Sequence, residues 1–73
     1  MRDRIKKVIR QVLQLENVED TASQATCLEW DSLRHLDIVL ELELEFDVSF
    51  EPEEMAKMTS VEAIEQVIKT KLQ

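Results

Sequence analysis

An all-α fold, a small bundle of three main helices plus one short helix, is predicted by three features of this chain. Apolar residues recur at helical spacing in three separate segments, helix-starting residues stand just ahead of each, and the single proline falls where a short helix would begin. In the first segment Ile5, Val8, Ile9, Val12 and Leu13 share a stripe, and Asp3 suits an N-cap. This predicts a helix from residue 4 to about 15, with a basic polar face. Residues 16–31, with Asn17, Asp20, Thr21, Ser23 and Thr26, show no sustained periodicity and read as one long connection. Loops of that length in a small domain are uncommon and usually functional or mobile. Ser32 suits the N-cap of a second helix running to about Phe46. Val48-Ser49-Phe50-Glu51 is irregular, and Pro52 suits the first position of a short helix over 52–57. Thr59-Ser60-Val61-Glu62 matches a capping box, and Val61, Ile64, Val67, Ile68 and Leu72 form the stripe of a last helix to about Leu72.

Seventy-three residues predict one domain, 1–73, with a core that supports about 3–5 kcal/mol of net stability and little room for a buried active site. No apolar run is long enough to cross a bilayer, and Met1-Arg2-Asp3-Arg4 leads into an amphipathic segment, not the apolar block of a signal peptide. A soluble, cytoplasmic, monomeric protein is expected. The lone Cys27 cannot form an intrachain disulfide, and no Cys/His cluster has zinc spacing, so no structural metal is expected. The chain has no glycine. Phosphate-cradling loops of the P-loop or dinucleotide kind need backbone conformations that glycine adopts easily, which argues against nucleotide chemistry.

Charge is unevenly distributed. Five of the nine Lys/Arg lie in the first ten residues, and residues 11 to 68 hold only Arg34 and Lys57 against fifteen of the sixteen Asp/Glu. Such an anionic body repels nucleic-acid phosphates and anionic membranes and attracts proteins with basic patches. On a helical wheel the second helix places Ile38, Leu42 and Phe46, with Val39 beside them, on one side. Leu33, Leu36, Leu40 and Leu44 fall nearly opposite, flanked by Asp37 and Glu41 on one edge and Glu43 on the other. A domain this small has few layers with which to cover both sides, so the second leucine row is expected to be partly exposed. Apolar anchors with an acidic rim suit a partner's groove with basic edges.

Asp31-Ser32-Leu33, followed by Leu36, Asp37, Ile38, Val39, Leu42, Glu43, Glu45, Phe46 and Asp47, resembles the core of the acyl carrier proteins. The similarity runs from about Leu28 to Ile68 through Pro52-Glu53-Glu54 and Thr59-Ser60-Val61, and the first helix fits in pattern. The resemblance implies that Ser32 carries a 4′-phosphopantetheine arm, attached covalently from coenzyme A by a phosphopantetheinyl transferase. Acyl groups would travel on that arm as thioesters. It further implies that Asp31 and Leu33 flank the arm for the transferase. Leu36, Asp37, Leu40, Glu41, Glu43 and Leu44 would then meet acyl-loading and acyl-processing enzymes. Two positions depart from the pattern: Glu29 stands where the family often has glycine, and Arg34 where an acidic residue is frequent. The run Trp-Asp-Ser-Leu-Arg-His looks more like carriers of specialised acyl or polyketide-type pathways than of primary fatty-acid synthesis.

Each of these residues also has a plainer reading. Ser32 could be only an N-cap, although a phosphodiester there would meet unpaired N–H groups and a favourable dipole. His35, three residues on, invites a Ser-His hydrolase reading, but no third group or oxyanion loop is evident. It falls on the inward side of the helix, where it either edges an acyl entrance or plugs that end of the core. Trp30 is expected to anchor the loop, Met55 and Met58 to fill the core, and Cys27 to be a loop thiol. The acidic stretch Asp47 to Glu54 lacks the glycine and spacing of a calcium loop. Three functional classes result: an acyl carrier, an unmodified acidic adaptor binding through the second helix, and a small hydrolase; the carrier is the expectation. With a formal net charge of −7, self-repulsion should make the fold marginal at low ionic strength. Salt or divalent cations are therefore expected to raise the melting temperature, and a melting curve indifferent to salt up to physiological strength would contradict this.

Overall fold

The computed structural model describes all residues, 1–73, and contains four helices. They are α1 (Arg2–Leu13), α2 (Ser32–Phe46), α3 (Pro52–Lys57) and α4 (Val61–Leu72). The predicted number, order and kind of elements are present. No helix is long and apolar enough to cross a membrane.

Fifteen buried side chains, all apolar, form one cluster. α1 supplies Ile5, Val8, Ile9 and Leu13, α2 supplies Ile38, Val39, Leu42 and Phe46, and α4 supplies Val61, Ile64 and Ile68. The connections add Val18, Trp30, Phe50 and Met58, while α3 contributes no buried residue. The stripes read from sequence are therefore the core-facing ones, with Val12 and Val67 at their half-buried edges, except that Leu72, in the last turn of α4 beyond the reach of the core, is exposed. Met58 is fully buried core filler, and Met55 packs against the cluster half-buried.

The helix starts differ from expectation by small, physically intelligible shifts. α1 begins at Arg2 behind Met1, which makes no side-chain cap, so Asp3 lies within the first turn. There its carboxylate meets the positive end of the helix dipole instead of capping it. At α2 the N-cap is Asp31, whose Oδ1 accepts from the Arg34 N–H at 2.8 Å, and Ser32 is the first helical residue. The last helix is capped by Ser60, whose Oγ accepts from the Ala63 N–H at 3.0 Å. The expected box on Thr59 and Glu62 is thus displaced by one residue, which leaves alanine where the reciprocal Glu would stand. A capping box does occur at α3, between Glu51 and Glu54, with Pro52 opening the helix. α1 and α2 end on left-handed residues, Gln14 (φ 56°) and Asp47 (φ 54°), a place where glycine is the usual choice.

α1 and α2 run antiparallel, and each has an arginine at the other's C-terminal end. Arg34 Nη1 donates to the Val12 carbonyl at 3.2 Å. Arg4 donates to the Glu45 carboxylate at 2.9 Å and to its backbone carbonyl at 2.8 Å, and its guanidinium lies 4.3 Å from the Phe46 ring centroid. Cations at helix C-termini satisfy orphan carbonyls and complement the dipole.

The long connection, Gln14 to Asp31, is fastened at several points. An isolated antiparallel bridge pairs Ser23 with Ser60, through Gln24 N–H to the Thr59 carbonyl (2.8 Å) and Val61 N–H to the Ala22 carbonyl (3.1 Å). Val18 and Trp30 enter the core, and Lys6 binds Asp20 at 2.7 Å. Arg2 links α1 to α4 through Glu65 at 2.8 Å.

These ion pairs leave a pH signature. The hydrogen bond from Arg2 holds the Glu65 carboxyl below the ordinary carboxylate range, and that from Lys6 does the same for Asp20. A carboxyl whose folded value is depressed contributes stability above its unfolded value, about 4, and loses it as the pH falls through the folded value. Arg2→Met is expected to melt lower than the wild type at pH 6, with the gap between them closing as the pH falls from 5 toward 2. Parallel curves in thermal melts followed by circular dichroism would show that the pairs do not stabilise the fold.

Candidate functional site

The expected site residues lie at the start and along the outer side of α2. Trp30 is buried with 1 % of its surface exposed, and the next residue, Asp31, turns the chain into the helix as its cap. Ser32, at the first helical position, is exposed. The caps consume the Arg34 and His35 N–H groups, which go to the Asp31 side chain and carbonyl. The Ser32 and Leu33 N–H groups have no partner. A phosphate on the Ser32 hydroxyl would lie beside these free donors at the positive end of α2, worth about 0.3–1 kcal/mol where exposed. The residues present fit an anionic group attached at this hydroxyl.

The second leucine row is open to solvent: Leu33 is 69 % exposed, Leu36 49 %, Leu40 46 % and Leu44 78 %. The opposite side, Ile38, Val39, Leu42 and Phe46, is buried, as the helical wheel predicts. Asp37 and Glu41 lie exposed on one edge and form no ion pair. Together with Leu40 they line a cleft of about 390 Å³ against Val8, Gln11 and Val12 of α1. On the other edge Glu43 is half-buried, and its Oε2 accepts from the Phe50 N–H at 2.7 Å, which fixes the connection after α2. Glu43 thus has a structural task alongside any contact with a partner.

His35 is half-buried on the inward side of α2. The Trp30 indole N–H donates to its Nδ1 at 3.0 Å, and its Nε2 lies 2.8 Å from the Met55 carbonyl. The ring planes differ by 26° with centroids 6.1 Å apart, so the two rings meet nearly edge to edge through this bond. Both nitrogens are occupied, and neither is available to take a proton from Ser32. The hydrolase reading fails on this geometry, and His35 closes the end of the core between α2 and α3.

A larger cleft of about 560 Å³ opens beneath the long connection, lined by Ile9, Leu15, Val18, Cys27, Leu28 and Trp30 among others. Burial and the hydrogen bond to Glu29 push the Cys27 thiol upward, away from reactive thiolate behaviour. Glu29, in the place where the resembled family often has glycine, thus serves as the acceptor for that thiol. Arg34, the second departure, reaches back to α1. Sequence reasoning missed the Arg34 task because its partner lies 22 residues away, and the Glu29 task although its partner lies two residues away, because the loop has no periodicity from which to read side-chain directions.

No family model matches the chain. Among solved structures, the holo acyl carrier protein from Geobacter metallireducens superposes with a TM-score of 0.85 at 25 % identity, covering 97 % of this chain and 84 % of that one. A putative acyl carrier protein from Mycobacterium tuberculosis superposes with a TM-score of 0.84 at 20 % identity, covering 94 % and 95 %. The likeness extends over nearly the whole chain, including the region before Leu28 that the sequence resemblance reached in pattern only. The chain has the fold of the acyl carrier proteins, in agreement with the resemblance carried by Asp31-Ser32-Leu33 and the helix that follows.

Proposed function

We propose that this chain is an acyl carrier, not an enzyme, and that Ser32 is the residue that bears a 4′-phosphopantetheine arm. The observation that carries this reading is the exposed Ser32 hydroxyl on the first turn of α2, beside two unpartnered N–H groups, in a fold shared with acyl carrier proteins. A phosphopantetheinyl transferase would make the attachment from coenzyme A. The Ser32 oxygen forms the new P–O bond, the pyrophosphate P–O bond of coenzyme A breaks, adenosine 3′,5′-bisphosphate leaves, and the serine proton is taken up by the transferase or solvent. The bound group supplies a flexible thiol on which acyl groups are held as thioesters.

The chain's own residues then position and present. Asp31 fixes the first turn so that Ser32 faces outward, and its position next to the hydroxyl suits recognition by the transferase. Leu33, Leu36, Leu40 and Leu44 offer apolar anchors, and Asp37 and Glu41 offer unpaired carboxylates to enzymes with basic patches. Charged rims of this kind set encounter rates and register more than final affinity. The run from Trp30 to His35, with its departure at Arg34, resembles carriers of specialised acyl or polyketide-type pathways. A soluble, cytoplasmic location and a monomeric state go with this reading.

An unmodified adaptor would use the same leucine face, so the test must address Ser32. The intact mass is to be measured before and after incubation with coenzyme A, magnesium and a broad-specificity phosphopantetheinyl transferase. The wild type is expected to gain one phosphopantetheine group and Ser32→Ala none; no gain on folded wild-type protein with several transferases would favour the adaptor. In the same assay at low salt, the double change Asp37→Lys, Glu41→Lys is expected to slow modification by about tenfold or more through lost steering. An unchanged rate would remove these two carboxylates from the docking surface.

A further inference from the structure

The contact between Trp30, His35 and Met55 joins the residue two before Ser32, the residue three after it, and α3. An indole N–H can only donate, so the His35 Nδ1 facing it at 3.0 Å must be the acceptor. The single proton of a neutral imidazole then resides on Nε2, which donates to the Met55 carbonyl at 2.8 Å. The ring has one protonation state and one tautomer in which both contacts exist. Trp30 is almost wholly buried and its N–H has no other acceptor, so the bond to His35 fixes how the indole sits. Trp30 is also the last residue before the Asp31 cap, so its position determines where α2 starts and how Ser32 is held.

On the far side the same ring holds α3, a six-residue helix with no buried side chain. Beyond that hydrogen bond, α3 is tied to the bundle by the half-buried Met55 side chain against the core and by the ion pair between Glu54 and Lys71 at 2.7 Å. The charged groups on the turns adjoining the contact are Glu29 and Asp31 from the connection, Arg34 and Asp37 from α2, and Glu53, Glu54 and Lys57 from α3. Glu29 accepts from Cys27, Asp31 from the Arg34 N–H, and Glu54 from the Glu51 N–H, while Arg34 donates to Val12. None of these groups forms an ion pair with the imidazole. A second proton on the ring would put a donor at Nδ1 against the indole donor and would leave the Met55 bond in place.

We propose that His35 is the positioning residue that holds the Ser32 segment against the core, through a neutral ring that accepts from Trp30 and donates to Met55, and that proton uptake by this ring loosens that segment. The proposal rests on Ser32 being the modified residue. The chain has one tryptophan and one histidine, so both partners can be observed without assignment ambiguity. Nitrogen-15 NMR of the wild type at pH 8 is expected to show Nε2 protonated and Nδ1 accepting. As the pH is lowered to 4, the Trp30 indole resonance should move with the same midpoint as the His35 ring, and in His35→Gln it should not move. The opposite tautomer, or an indole resonance indifferent to the ring, would overturn the proposal.

The second measurement is the ratio of transferase modification rates, wild type over His35→Gln, across the same pH series. The transferase's own pH dependence cancels in this ratio. It is expected to fall by about tenfold through the ring's midpoint, the effect of losing one hydrogen bond of ordinary net strength. A flat ratio would reduce His35 to a structural residue. If neither protein is modified at any pH, the carrier reading fails and the positioning role with it, while the NMR result still decides whether the tie exists.

Discussion

Trp30 is the point at which an eighteen-residue connection without regular structure, residues 14–31, becomes fixed to the helices, and the geometry of the candidate site depends on it. Burying an aromatic side chain of this size is worth on the order of 4 kcal/mol, comparable with the whole net stability expected of a domain this small. The burial would be costly if the indole N–H were left unpaired, and His35 supplies the acceptor. One residue later the chain turns into α2 with Asp31 as its cap and Ser32 facing solvent. Core packing, helix start and exposed hydroxyl are therefore one arrangement, set by a side chain that is itself almost wholly buried.

Local pattern made much of this legible. The stripes of α1, α2 and α4 and the two-sided character of α2 follow from spacing that repeats every turn, and α3 from its proline; burial agrees except at the end of α4, where Leu72 is 53 % exposed. The errors concentrate where two chemically equivalent candidates stand side by side. Asp31 and Ser32 are comparable N-caps, as are Thr59 and Ser60. The choice is made by contacts absent from the local sequence. Trp30 in the core selects Asp31, and the bridge from Ala22 and Gln24 selects Ser60. The tie from His35 to Met55 spans 20 residues, that from Arg34 to Val12 spans 22, and that from Arg4 to Glu45 spans 41. No periodicity encodes them. The inward placement of His35 was legible; its two partners were not.

The charge asymmetry of the sequence also changes meaning in three dimensions. The basic N-terminal segment reads as a separate cationic face, yet Arg2, Arg4 and Lys6 are engaged with Glu65, Glu45 and Asp20. Three of the five cations of α1 thus pair with the loop, the end of α2 and the middle of α4, and leave Asp37 and Glu41 beside the leucine row without ion-pair partners. The anionic character is concentrated by this pairing on the face that begins at Ser32.

That face carries four leucines between about half and four-fifths exposed, a composition that would ordinarily drive copies of a protein to stick together and leave solution. Two copies meeting leucine to leucine would also bring Asp37 and Glu41 of each against those of the other, with no cation of their own to intervene. Like charge at the rim opposes self-association while leaving the same leucines open to a partner that brings lysine or arginine. Colloidal behaviour and selectivity then come from the same two carboxylates: a surface can stay apolar enough to bind and still be kept from binding itself.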